Sequence, residues 1–293
     1  MARSLADLSP DLRGAAFMVL SMAAFAVEDV FFKAATARLP VGMALLGVGL
    51  GGLAIFALLS LRAGERIWHP AILTPPLLIR TGFEIAGRLG YGLALALTPL
   101  SSTSAILQAA PLVVTLGAVL VFGERVGWRR WSAIGLGFLG VLIILRPGLD
   151  AFEPASLFAV MGMIGFAARD LATRASPPAM SMAQLGSLGF AVLVVAGLVH
   201  MVWTGQAAVL PGAADAARLA AAAIFGALAY GALTFAMRSG AIAAVAPFRY
   251  TRLIFAFALA YLVFGERPDA ATWAGCALIV ASGLYTLSRQ GRA

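Results

Sequence analysis

Four residues in a mostly apolar stretch carry the first chemical signal. Arg80, Glu84, Arg88 and Tyr91 follow at steps of four, four and three, which on a helix sets them along one stripe about 80° wide. A guanidinium fork suits a carboxylate, and an aromatic ring suits an apolar side chain. The stripe therefore reads either as an Arg–Glu–Arg ladder bracing its helix or as Arg88 and Tyr91 reaching a bound molecule beside Glu84. A second basic group, Arg249 and Arg252 with Tyr250 between them, recurs late in the chain. It is placed to pair with Glu28 and Asp29 or to hold an anionic group. Gln108 lies one turn before Pro111, which frees the Leu107 carbonyl, as Pro247 frees that of Ala243. Gln108 is then a candidate ligand, with a simple packed kink as the alternative.

These charges need an unusual setting. The chain of 293 residues is 61% hydrophobic and 12% charged, with mean hydropathy +0.95. Soluble domains carry about 25% charged residues, so lipid must solvate much of this chain. An ionisable group at mid-membrane costs about 2.5–3.5 kcal/mol on insertion scales, so each requires a partner or a wet cavity. A net charge of +8 would fit nucleic acid only if the arginines formed a patch. Instead they are spread over short connections, as the positive-inside rule requires. One cysteine, Cys276, and two distant histidines, His69 and His200, exclude a disulfide within the chain and give no zinc or iron site. No cofactor is expected, and no G-x-x-x-x-G-K-[ST] loop is present for direct use of ATP.

Apolar runs between polar breaks give ten candidate spans: 13–34, 41–61, 75–97, 100–122, 129–146, 154–174, 179–203, 216–238, 241–264 and 270–288. Most prolines fall at span ends, where a missing N–H is tolerated. The Arg and Lys distribution predicts both termini on the cytoplasmic side. Arg3 and Arg13 before an apolar run ending Ala24-Phe25-Ala26 resemble a signal peptide, but the same segment recurs internally. The run from Phe25 to Ala34 matches that from Phe166 to Ala175 as F-A-x-x-D-x-x-x-[KR]-A. Phe122-Gly123-Glu124-Arg125 matches Phe264-Gly265-Glu266-Arg267, and Trp131 matches Trp273. Both matches share an offset near 141 residues. Five spans per copy invert the second copy, the architecture of alternating-access carriers. The copies are assigned to 13–147 and 153–289. Asp29/Lys33 and Asp170/Arg174 are repeated i, i+4 pairs, read as local ion pairs or as a symmetric gate. Glu28 has Arg169 as its counterpart. Glu124 and Glu266 are expected to cap or pair at the start of the following helix, and Gly47, Gly51, Gly135 and Gly140 to serve close helix packing.

The stretch Pro111 to Arg125 with Trp131 and Gly135 to Arg146, and the second copy Leu253 to Arg267 with Trp273 to Leu287, resemble the EamA repeat of the drug/metabolite transporter superfamily. Overall the chain is similar to its YddG-like branch of amino-acid exporters. The resemblance implies an all-α membrane protein of ten transmembrane helices in two inverted five-helix repeats, in a bacterial inner membrane. It implies a central cavity bounded by helices 3, 4, 8 and 9 with 1 and 6, and export of amino acids or similar small metabolites. The expected partners are that small molecule and the bilayer, with no nucleic acid and with a monomer as the working unit. Efflux of nucleotide-like or cationic compounds, a channel and a lipid translocator remain as alternatives. An intramembrane enzyme lacks its motifs here: there is no H-E-x-x-H and no paired-Asp loop.

Overall fold

The computed structural model describes residues 9–123, 127–149, 152–174, 180–239 and 242–288, excepting the side chains of Arg130, Thr173, Arg174, Ile242, Ala243 and Leu287. These residues form α1 (Pro10–Thr36), α2 (Val41–Arg62), α3 (Pro75–Leu97), α4 (Leu100–Leu107), α5 (Ala110–Phe122), α6 (Trp128–Leu145), α7 (Leu157–Arg174), α8 (Met182–Thr204), α9 (Ala213–Ser239), α10 (Ile242–Val245), α11 (Thr251–Phe264) and α12 (Ala270–Ser288). Ten spans result, because α4 with α5 forms one broken span and α10 with α11 another. Seven spans are long and apolar enough to cross a bilayer by composition alone, and α6 and α12 contribute shorter apolar segments. The tenth is α3, whose charged stripe lowers its hydropathy.

Caps follow local chemistry. Ser9 caps α1 ahead of Pro10, and Ser181 with Gln184 forms a reciprocal capping box on α8. Gly123 and Gly265 end α5 and α11 with φ of 67° and 66°. The same left-handed turn follows Phe122 and Phe264, where a glycine has no Cβ to clash.

Packing makes the inversion visible. Equivalent helices of the two copies meet each other antiparallel. Along α2 and α8, Gly42 meets Gly197, Gly49 meets Leu193 and Val194, and Gly52 meets Phe190, so numbers rise on one helix as they fall on the other. Along α6 and α12, Gly137 meets Ser282 and Gly140 meets Gly275 and Ile279. The remaining large interfaces, α1 with α9 and α3 with α7, exchange with each other when the copies are swapped. Small residues permit these approaches. Gly47 and Gly51 lie against Leu219 and Ala223 of α9, whereas Gly135 faces open space and packs nothing.

The outside is as apolar as the inside. Leu50, Leu61, Leu120, Val202, Ile254 and Leu262 are exposed, a surface that only hydrocarbon solvates well. Trp68, Trp128, Trp131, Trp203 and Trp273 are also exposed. Each lies at or beside a helix end, as in the aromatic belt of a membrane interface. The protein is a multi-pass membrane protein.

Candidate functional site

The buried charges gather in two linked clusters. In the first, Asp29 of α1 accepts hydrogen bonds from Arg252 Nη2 at 2.6 Å and from the Tyr91 hydroxyl at 2.8 Å, and Arg252 also reaches that hydroxyl at 3.1 Å. The Arg252 guanidinium lies 5.0 Å from the Phe25 ring centre and 5.6 Å from that of Tyr91. Arg252 is the second residue of α11, so this pair ties the start of α11 to α1.

In the second cluster Glu84 of α3, 0% exposed, is approached by three guanidiniums. Arg80 Nη1 lies 2.9 Å from Oε2, outside hydrogen-bond angles, Arg169 Nη1 lies 3.5 Å from Oε1, and Arg88 Nη2 lies 3.9 Å from Oε1. Arg169 of α7 is held firmly by Asp170, at 2.7 and 3.0 Å. Arg88 is held loosely. Its Nε is buried without a hydrogen-bond partner, and its guanidinium rests over Phe166 at 5.6 Å. Phe166 also carries Arg169 on its ring and packs edge-on to Tyr91, joining the two clusters. The ladder of Arg80, Glu84 and Arg88 thus faces the bundle interior and gains Arg169. Sequence reasoning left Arg169 out of the site, although its position as the repeat partner of Glu28 was the available signal.

Glu28 is 8% exposed. Among the described residues no hydrogen bond or ion pair holds its carboxylate. Gly226 of α9 packs directly on it: a Cβ there would stand 2.7 Å from Oε1.

Other expectations need correction. Asp29 and Lys33 do not pair. Asp29 turns to Arg252, and Lys33 donates to the carbonyls of Leu95 at 3.0 Å and Thr98 at 2.6 Å, where α3 ends and its carbonyls lack helical partners. Asp170 pairs with its neighbour Arg169, while the Arg174 side chain lies outside the described residues, as do Glu124 and Arg125. Arg249 does not reach the helix 1 carboxylates; its contribution is a carbonyl, which accepts from Gln108 Nε2 at 2.9 Å. Gln108 therefore serves the backbone rather than an open cavity. Tyr250 points away from the polar centre, its hydroxyl against Gly283 of α12. Glu266 does not cap the helix that follows it. It accepts from Leu100 N, Ser101 N and the Ser101 hydroxyl at 2.8–3.0 Å and so caps α4, while Asp269 caps α12 through Thr272. Lys33 and Glu266 together pin the α3–α4 corner.

A polar centre flanked by broken spans in two inverted copies is what a carrier requires. Comparison with known proteins agrees. The chain is 28% identical over 203 residues to an S-adenosylmethionine uptake transporter of Rickettsia felis, covering 69% of this chain and 67% of that one. It is 30% identical over 287 residues to a riboflavin transporter of Rhizobium johnstonii, covering 95% and 92%. It is 27% identical to the pseudopaline exporter CntI of Pseudomonas aeruginosa, covering 91% and 93%. The crystal structure of another protein shares the fold, with TM-score 0.62 and 18% identity, covering 95% of this chain and 99% of the other. The EamA-like transporter family matches residues 12–146 and again 154–288, and the chain belongs to that family of small-molecule transporters, within the drug/metabolite transporter superfamily.

Proposed function

We propose that the chain exports amino acids or similar small zwitterionic metabolites by alternating access, with Glu28 taking the ammonium and Arg88 the carboxylate. One observation carries this reading. Among the described residues Glu28 has no hydrogen-bond or ion-pair partner, and Arg88 reaches only Glu84, loosely at 3.9 Å, with its buried Nε unpartnered. Two such charges are costly in a membrane interior unless something else pairs with them, and a zwitterion supplies both partners at once. Tyr91 and Phe166 beside Arg88 give the side chain an aromatic wall, which favours neutral and aromatic amino acids.

In this reading Asp29 holds the start of α11 through Arg252, and arrival of a substrate carboxylate near Arg88 competes for that guanidinium and loosens α11 from α1. Lys33 and Glu266 keep the outer mouth closed while the opposite mouth receives substrate. Both termini and the Arg13 end then face the cytoplasm of a bacterial inner membrane, and the chain works as a monomer. S-adenosylmethionine carries an amino-acid head group, so transport of that compound by a relative supports the zwitterion reading.

Counterflow in proteoliposomes tests it. Vesicles preloaded with unlabelled amino acids accumulate labelled phenylalanine or methionine transiently, and Arg88→Ala and Glu28→Gln each remove that peak while the protein still elutes as a folded species. If both variants show wild-type counterflow, the assignment of the two charges is wrong. If riboflavin alone drives counterflow, the substrate class is wrong.

A further inference from the structure

Away from the polar centre, a cavity of about 480 Å³ opens at the other end of the bundle, lined by Pro10, Arg13, Met182, Phe235, Arg238 and Ser239. Three helix ends meet there, as α1 and α8 begin and α9 finishes. The Arg13 guanidinium lies 4.9 Å from the Phe235 ring centre, and its Nε is buried with no hydrogen-bond partner. Arg238 is exposed and uses one N–H on the Met180 carbonyl at 3.2 Å. Among the described residues no lining residue is acidic, and Asp11, in the same turn as Arg13, is exposed outside the lining. The first turns of α1 and α8 bring two positive dipole ends, against the one negative end of α9, and the two guanidiniums make the balance clearly positive.

Depth says what such a site meets. Helix α1 has 27 residues and so runs about 40 Å, against about 30 Å of hydrocarbon. Its first turn, with Arg13, therefore stands at the level of lipid phosphates. Pro10, Met182 and Phe235 make most of the remaining wall apolar, with Ser239 as its one polar residue, and a glycerol backbone with its acyl chains needs such a wall whereas a soluble anion does not.

We propose that this cavity binds the phosphodiester headgroup of an anionic phospholipid from the adjacent leaflet, with Arg13 and Arg238 holding the phosphate. A lipid seated there joins α1 to α9, the two longest helices, at the mouth opposite Lys33. The site is independent of the substrate assignment, because neither arginine belongs to the polar centre.

Native mass spectrometry of the full chain, titrated in detergent with phosphatidylglycerol or with phosphatidylcholine of the same acyl chains, provides the test. Phosphatidylglycerol is expected to be retained at one molecule per chain in preference to phosphatidylcholine. Arg13→Gln with Arg238→Gln weakens that binding about thirtyfold, and Arg238→Gln alone about fivefold. The single variant changes an exposed side chain and so serves if the double variant does not fold. Equal binding of the two lipids, or wild-type affinity in Arg238→Gln, overturns the proposal. Displacement of phosphatidylglycerol by an equal concentration of inorganic phosphate also overturns it, by making the cavity a site for soluble anions.

Discussion

Gln108 Nε2 donates a 2.9 Å hydrogen bond to the carbonyl of Arg249, the residue just before Tyr250, which is the counterpart of Gln108 at the 142-residue spacing that relates Phe122 to Phe264. A residue that touches the neighbour of its own counterpart stands beside the axis relating the two copies. The backbone is irregular at both positions. Gln108 lies in the break between α4 and α5, and Arg249 lies in the 3-10 turn Ala246–Tyr250 before α11. The axis thus passes between two helix breaks, and this amide bridges them. Gln108→Leu keeps the size and removes the donor. It should lower stability by about 1 kcal/mol, because the Arg249 carbonyl loses its side-chain donor. Thermal unfolding in detergent measures this, and an unchanged midpoint would show that the bridge contributes nothing.

The contact between Asp29 and Arg252 predicts a non-additive pair. Removing either partner leaves the other charged and buried, a loss of about 3–5 kcal/mol. Asp29→Ala combined with Arg252→Ala leaves no orphan charge, so the double variant should be less destabilised than the sum, by about 1–3 kcal/mol. Strict additivity in a denaturation series would mean that the two side chains do not depend on each other.

Much of this arrangement was legible in sequence, and the failures have physical causes. Ten apolar runs and the repeated Phe-Gly-Glu-Arg segment define the spans and their inversion, because bilayer thickness and loop charge act on composition directly. The stripe on α3 could be read because α3 is a regular helix. The stripe of Arg249, Tyr250 and Arg252 could not. It assumes 100° per residue, and the 3-10 turn ending at Tyr250 turns Tyr250 toward α12 while Arg252 faces α1. The spacing of Asp29 and Lys33 indicates a local pair, but tertiary partners 62 to 223 residues away win both side chains. Glu266 is captured in the same way, by the free N–H groups of α4, which only the folded bundle brings near.

Two glycines test the antiparallel α2–α8 interface. A Cβ at Gly52 would lie 2.1 Å from the Phe190 ring and one at Gly186 would lie 2.4 Å from that of Phe56. Both rings are fully buried and stacked at 5.7 Å, so neither can move aside cheaply. Gly52→Ala and Gly186→Ala should therefore each cost about 1–3 kcal/mol. Gly135, with nothing within 4 Å, gives the contrast. Gly135→Ala should be neutral or stabilising by up to about 1 kcal/mol from helix propensity. Equal effects at all three sites would contradict the interface.

The tie between the end of α6 and the start of α12 gives a pH prediction. Asp269 is paired with Arg146 and accepts from both the N–H and the hydroxyl of Thr272. These donors hold its carboxyl well below the usual carboxylate range. A group whose folded pKa lies below its unfolded value stabilises the fold fully above the unfolded value, near 3.9, and loses that contribution as pH falls through the folded value. The contribution is thus complete at pH 5–7 and fades only in strong acid. Asp269 is about half exposed, so the charge pair itself is worth less than about 1 kcal/mol. Asp269→Asn keeps a cap acceptor and removes the charge, whereas Asp269→Ala also removes the cap, a further loss of about 1 kcal/mol. At pH 7 the order of stability should be wild type, Asp269→Asn, Asp269→Ala, and the gap between the first two should close as pH falls below about 4. A gap that stays constant down to pH 2 would mean that charge at this position plays no part in joining α6 to α12.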